Sequence, residues 1–212
     1  MGRRSTAQTS RQRQALARLA ARILLEAGNR DYAAAKRKAA EKLGLGLRAS
    51  LPANTEIEAA LAEYQRVFHA DAQPRLLAGL RREALQAMDL LADFSPRLVG
   101  AVLRGTADGN SPVHLHVFTD QPEALLLFLQ DHAIPFEQDQ RSLRYGGGRE
   151  VTAPLLRFHA GERRIELTVL PFDGLREAPL SPVDGRPMAR ADREAVAALL
   201  NETYPSGVIG GV

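Results

Sequence analysis

In the first half of the chain, apolar residues recur at spacings of three and four. In the second half they alternate with polar ones or gather in short blocks. The first pattern predicts helices and the second strands, because side chains share a face every 3.6 residues in a helix and every second residue in a strand. Leu16, Leu19, Ala20, Ile23 and Leu24 mark one face of a helix over residues 11–27, which Gly28-Asn29 ends by accepting a left-handed conformation. Asp31 caps a second helix that Gly44 stops, with Tyr32, Ala35, Ala39 and Leu43 as its apolar face. After a turn over residues 44–52, Asn54 or Thr55 caps a third helix, with Glu56 and Glu58 near its positive end. Leu61, Tyr64, Val67 and Phe68 continue its apolar face. Pro74 suits the first turn of a fourth helix reaching residue 93, striped by Leu76, Leu77, Leu80, Leu85, Met88 and Leu91.

The pattern changes after Phe94-Ser95-Pro96. Residues 97–103 and 113–119 read as strands, and residues 121–132 as a helix with Pro122 in its first turn. Residues 141–145, 155–159 and 164–170 are further strands. The Pro-rich stretch 171–187 reads as an irregular loop and residues 190–201 as a last helix. Helices followed by mixed strands and helices predict an α+β protein. The expected division is a disordered tail over 1–10, a helical module over 11–93 and a mixed-sheet domain over 94–212, with the fourth helix packed on the sheet.

Composition bounds the function classes. With 45% hydrophobic and 25% charged residues the chain can bury a core, one of Leu, Ala and Val, since Trp is absent. No apolar run approaches the roughly 20 residues of a membrane-spanning helix, so no membrane is expected as a partner. The N-terminus lacks the apolar centre of a secretory signal, and zero Cys removes disulfides and thiolate metal sites. The expected location is the cytoplasm. The net charge of +3 hides an asymmetry: residues 1–50 carry roughly +9 and the remainder roughly −6. Arg18, Arg22, Lys36, Arg37, Lys38 and Lys42 lie on the first two helices, which points to a nucleic-acid partner held through phosphates rather than base edges. The charge-only alternative is a solvated helical surface.

The segment 98–118 carries the most specific signal. A hydrophobic strand leads through Gly100-Ala101 to Arg104-Gly105-Thr106-Ala107, and the chain returns as Ser111-Pro112-Val113-His114-Leu115. This resembles the nucleotidyltransferase superfamily, the small fold shared by DNA polymerase beta and minimal antibiotic-modifying nucleotidyltransferases. The family's signature is a strand ending in Gly-Ser or Gly-Gly, a loop often reading Arg-Gly-Thr-Ala, and Ser-Asp-hydrophobic-Asp on the next strand. The resemblance extends over residues 74–200. It implies a nucleotidyltransferase-like mixed sheet with flanking helices and nucleotide contacts from Gly100, Arg104, Gly105, Thr106 and Ser111. Glu166, in Ile165-Glu166-Leu167-Thr168-Val169, stands where the family's third carboxylate is expected.

The departures fall on the chemistry. Acids at i and i+2 on a strand share a face and hold the magnesium ions that neutralise a transferring phosphoryl group. Here Pro112 offers no ligand atom and His114 is a nitrogen donor where magnesium prefers oxygen. Glu166 alone cannot assemble the two-metal clamp, so ordinary nucleotidyl transfer is not expected. A replacement chemistry is conceivable: His114 and His116 project from one face, Glu166 supplies a third ligand and Asp120 or His159 a fourth, and the cofactor is a divalent metal such as zinc. On that alternative His114 and Glu166 are the catalytic pair. Ser111 with His114 forms no established nucleophile–base geometry. Gly146-Gly147-Gly148 precedes no helix and is no phosphate loop. Residues 178–187 read as a packed connector, with presentation of Asp184 and Arg186 at the cleft as the alternative.

Three functions therefore compete. The leading expectation is a non-catalytic, regulatory protein that binds nucleotide or RNA. The others are an active nucleotidyltransferase or metal-dependent enzyme using His114, His116 and Glu166, and a protein-interaction subunit.

Overall fold

A computed structural model describes residues 2–27, 31–45, 50–68 and 72–203. The chain is α+β and divides into two compact units, 1–73 with 182–184, and 74–181 with 185 onward. The division falls one helix earlier than the sequence pattern predicts, because the fourth helix buries its apolar stripe in the core of the sheet unit.

Among the described residues the first unit holds three helices, α1 (Gly2–Ala27), α2 (Tyr32–Lys42) and α3 (Asn54–Phe68). Leu16, Ala20, Ile23 and Leu24 of α1 meet Tyr32, Ala35 and Ala39 of α2 and Ile57 and Leu61 of α3 in one apolar cluster. Asp31 caps α2 as expected, accepting from Ala34 N at 2.9 Å. Asn54 is the first residue of α3 rather than its cap. The carboxylate of Glu56 accepts from Ala53 N at 2.6 Å and from Arg13 at 2.6 Å, tying the start of α3 to α1. The buried Glu58 carboxylate accepts from the Tyr32 hydroxyl at 2.5 Å. The expected disordered tail over 1–10 is a correction: α1 begins at Gly2, with residues 8–12 exposed. After Gly2 no Gly or Pro interrupts the segment, and extending a formed helix fixes one residue for each bond gained. Met1 and the expected helix end at Gly28-Asn29 lie outside the described residues.

Among the described residues the second unit is built on five strands, β1 (Arg97–Val99), β2 (Val113–Phe118), β3 (Phe136–Arg144), β4 (Glu150–Ala160) and β5 (Arg163–Leu170). Its helices are α4 (Ala72–Leu90), α5 (Gly100–Arg104), α6 (Pro122–Asp131) and α7 (Arg193–Thr203). The sheet order is β1-β2-β5-β4-β3; β2 and β5 run parallel and the other neighbours antiparallel. One face is apolar: Val113, Leu115, Val117, Ile165, Leu167, Val169, Leu156 and Phe158 pack with α4 (Leu77, Leu80, Ala84, Met88), α6 (Leu125, Leu129) and Val196 of α7. Each fully buried aliphatic side chain there contributes about 1.5–3 kcal/mol. The guanidinium of Arg81, buried in α4, donates to Leu199 O at 3.0 Å and fastens α7 to α4.

Two strands differ from the sequence pattern. The stretch 97–103 is strand only to Val99; Gly100, at φ +77°, turns the chain into α5. β3 and β4 are longer than their apolar residues suggest, because they form one antiparallel hairpin closed by a Gly146–Gly148 turn in which Gly147 and Gly148 take positive φ and Tyr145 N donates to Arg149 O at 2.8 Å.

Candidate functional site

The second face of the sheet is polar in its middle, and the register assembles it row by row. Arg97, His116, Thr168 and Leu155 stand side by side on β1, β2, β5 and β4. The next row is Val99, His114, Glu166 and Arg157, with Glu137 of β3 beyond. Towards the other end of the strands Phe118, Leu170, Ala153, Leu143 and Tyr145 close the face with a small apolar cluster. The i, i+2 spacing of His114 and His116 and of Glu166 and Thr168 places all four on this face.

Glu166 is the hub. It is buried, and Nε2 of His114 lies 3.0 Å from its Oε2. Arg141 donates to the same oxygen at 2.7 Å, reaching in from β3, and its other terminal nitrogen lies 3.5 Å from the Thr168 hydroxyl. Arg164 lies 3.1 Å and Arg157 3.5 Å from Oε1. Arg157 also donates to Asp139 at 2.7 Å. Burial opposes ionisation of Glu166, but the hydrogen bonds and charges of His114 and Arg141 together outweigh it and bring its carboxyl down to about 2. The group is thus a fixed anion at neutral pH and a poor base. His116 is 2% exposed and its Nδ1 has no hydrogen-bond partner. Burial, then the charges of Arg190, Arg141 and His114, lower it to about 3, so it is neutral at pH 7. Arg190 donates to Gly174 O at 2.7 Å and lies over the Phe118 ring, 5.5 Å from its centroid.

Gly100 belongs to this site by contact. A Cβ there would fall 3.0 Å from Nδ1 of His114, and the positive φ of Gly100 disfavours any side chain. The other expected nucleotide-binding residues build the connection from α5 to β2. Arg104 ends α5, Gly105 is its left-handed cap, and Thr106 N donates to Ala101 O at 3.0 Å. The Ser111 hydroxyl accepts from Asp108 N at 2.9 Å. The structure thus brings together Gly100, His114, His116 and Glu166, while Arg104, Gly105, Thr106 and Ser111 serve the helix end and the turn.

The metal reading of His114, His116 and Glu166 needs correction. Among the described residues no group of three His, Asp or Glu is placed to hold a metal ion. The physical reason is competition: both oxygens of Glu166 already face guanidinium or imidazole nitrogens. Of the suggested fourth ligands, Asp120 lies beyond the end of β2 and accepts from Phe172 N at 3.0 Å, and His159 is exposed on β4 opposite Arg164. The stretch 178–187 includes a bridge between Leu180 and Pro187, with Leu180 N donating to Arg144 O at 2.6 Å, and Asp184 groups with the helical unit.

On the helical unit Arg18, Arg22, Arg37, Lys38 and Lys42 are exposed and Lys36 is half-buried. Arg22 pairs with Glu26 at 3.5 Å on an open surface, a contact of little energetic weight. A cavity of about 330 Å³ lies where β2 and β5 end, lined by Asp120, Tyr145, Arg149, Asp173 and Glu177 among others.

The arginines Arg97, Arg141, Arg157, Arg164 and Arg190 are the functional candidates that the sequence pattern missed. Arg97, Arg141, Arg157 and Arg164 fall in stretches that the sequence pattern reads as strands, 97–103, 141–145, 155–159 and 164–170, but no local spacing turned them toward Glu166. No helix among the described residues is long and apolar enough to cross a membrane. No protein-family model, no curated protein and no solved structure matches the chain.

Proposed function

We propose that this chain is a non-catalytic, nucleotidyltransferase-like protein that binds nucleotide or RNA in a regulatory role in the cytoplasm. One observation carries the reading. Glu166, standing where the resembled family keeps a metal-binding acid, faces His114, Arg141, Arg157 and Arg164 instead of an open cation position. The polar face carries five guanidiniums, Arg97, Arg141, Arg157, Arg164 and Arg190, against the carboxylates Glu137, Asp139 and Glu166. Such a surface attracts anions and repels the magnesium ions that nucleotidyl transfer requires. The exposed cations of α1 and α2 add a second, sequence-independent hold on a polyanion.

Two measurements on the full chain test this. Incubation with radiolabelled nucleoside triphosphates, magnesium and RNA is expected to transfer no label. Fluorescence anisotropy with a labelled RNA oligomer is expected to show saturable binding that weakens steeply with salt. Label transfer that disappears in Glu166→Ala would establish the enzyme instead. Indifference to RNA and nucleotides even at low salt would leave the protein-interaction subunit as the better reading.

A further inference from the structure

The row Arg97–His116–Thr168 does not take part in holding Glu166, apart from the long 3.5 Å contact of Arg141 with Thr168. Its floor is buried, with His116 2% and Thr168 1% exposed, and Nδ1 of His116 has no partner there. Guanidiniums stand around it. Arg97 opens the same row and donates to Pro96 O at 3.0 Å, its charge is felt by Arg190, the charge of Arg190 is felt by His116, and Arg141 arrives from β3 with one terminal nitrogen turned to Thr168. A buried polar atom without a partner is costly unless a ligand or water meets it. Like charges gathered over a buried floor need a counter-anion. Glu166 does not supply it, since both its oxygens are engaged in the neighbouring row.

We infer that this recess, floored by His116 and Thr168 and walled by Arg97, Arg141 and Arg190, binds a terminal phosphate monoester, so that the proposed nucleotide or RNA ligand is recognised by its phosphorylated end. The inference rests on the reading of the chain as a nucleotide- or RNA-binding protein and narrows it to one chemical group. Donor supply selects the monoester. A phosphodiester in mid-strand offers two free oxygens and one charge, fewer than three guanidiniums, a hydroxyl and an imidazole can engage. A terminal phosphate offers three free oxygens and up to two charges. Either tautomer of neutral His116 is served, because a phosphate oxygen accepts from Nδ1–H and a singly protonated phosphate donates to a bare Nδ1. The partial burial of Arg141, whose side chain is 33% exposed, and of His114, at 24%, fits a recess entered by a chain end.

The test compares two RNA oligomers of one sequence, one 5′-phosphorylated and one 5′-hydroxyl, by anisotropy on the full chain at fixed ionic strength. The phosphorylated oligomer is expected to bind at least about tenfold more tightly, and inorganic phosphate at millimolar concentration to erase that advantage. Adenosine monophosphate separates the two sources of the group. Competition by it as strong as by the phosphorylated oligomer assigns the recess to free nucleotides, and weak competition assigns it to RNA ends; either supports the inference. Arg141→Gln and Arg190→Gln, each checked for an unchanged circular dichroism spectrum, are expected to abolish the preference, so that each variant binds the phosphorylated and the 5′-hydroxyl oligomer with equal affinity. The wild-type comparison stands even if a variant fails to fold. Equal binding of the two oligomers overturns the inference and leaves the broader function intact. Binding of neither oligomer and no nucleotide overturns both.

Discussion

Replacing Glu166 by Gln keeps the size and shape of the side chain and removes only its charge. The carboxyl sits at about 2 against an ordinary 4.5. At 1.36 kcal/mol per pH unit that interval corresponds to about 3 kcal/mol of native stability at pH 7. The partners Arg141, Arg157 and Arg164 are 33%, 25% and 46% exposed, so solvent screens part of the interaction. A loss of about 2 kcal/mol is the working expectation. Because the carboxyl lies lower in the folded chain than in the unfolded one, its contribution is complete above pH 4.5. It drains away as the pH falls from 4.5 through about 2. Urea denaturation followed by circular dichroism should therefore show Glu166→Gln less stable than wild type at pH 7, with the gap reduced by about half at pH 3. A variant as stable as wild type at pH 7, or a gap that stays constant between pH 7 and pH 3, would refute the assignment of Glu166 as an ionised hub.

Other consequences follow from neighbouring groups. Gly100→Ala puts a Cβ at φ +77° and 3.0 Å from His114 Nδ1; a loss of about 1–2 kcal/mol is expected, and unchanged urea stability would contradict the close approach. His116 lies at about 3 in the folded chain against an ordinary 6.5. Its stabilising contribution is thus complete above pH 6.5 and lost as the pH falls towards 3. In NMR its imidazole resonances should stay at their neutral positions from pH 8 to about pH 5; titration near the ordinary value would show that the ring is not buried as described. The double variant Lys38→Glu, Lys42→Glu should weaken RNA binding and lower the slope of log affinity against log salt by about 2, one for each lost phosphate contact. An unchanged slope would remove α2 from the interface.

The strand period was enough to read His114 and His116 onto a common face, since alternation along one strand fixes that whatever its partner; that Glu166 shares the face follows from the register of β2 with β5. It could not show what faces Glu166. Arg157 sits directly opposite it across an antiparallel pair, a long-range register that local spacing does not encode. Arg141 opens the expected strand 141–145, but the residues before it gave no strand signal. Glu137-Gln138-Asp139-Gln140-Arg141 has no apolar alternation, because β3 is an edge strand whose residues there are largely exposed on both sides. Pairing with β4 makes it a strand. The run 97–103 misled for the opposite reason: an apolar block buried on most sides looks alike as strand or helix, and only the backbone freedom of Gly100 decides the break. The helical unit was more legible, since its apolar stripes at helical spacing are the residues that form its core. The packing of α4 on the sheet was legible too, but the boundary was drawn where the helical pattern gives way to strands and not where the core of the sheet begins.

On the proposed reading these features have a common electrostatic cause. A buried carboxylate must be neutralised or lose its charge. In the resembled family metal ions would do this together with further acids. This chain has Pro112 and His114 where those acids are expected, and guanidiniums and an imidazole surround the one carboxylate that remains. A metal ion is exchangeable and brings open coordination positions at which bonds can be made and broken, whereas covalently attached arginines leave Glu166 without either. They exceed the charge of Glu166 in number, however, so the arrangement that closes the site to metal-assisted transfer also leaves it with unmatched positive charge. Loss of transfer and gain of anion binding are then two results of one exchange of counter-charge. They should reverse together only in a variant that restores acids at positions 112 and 114 and removes Arg141.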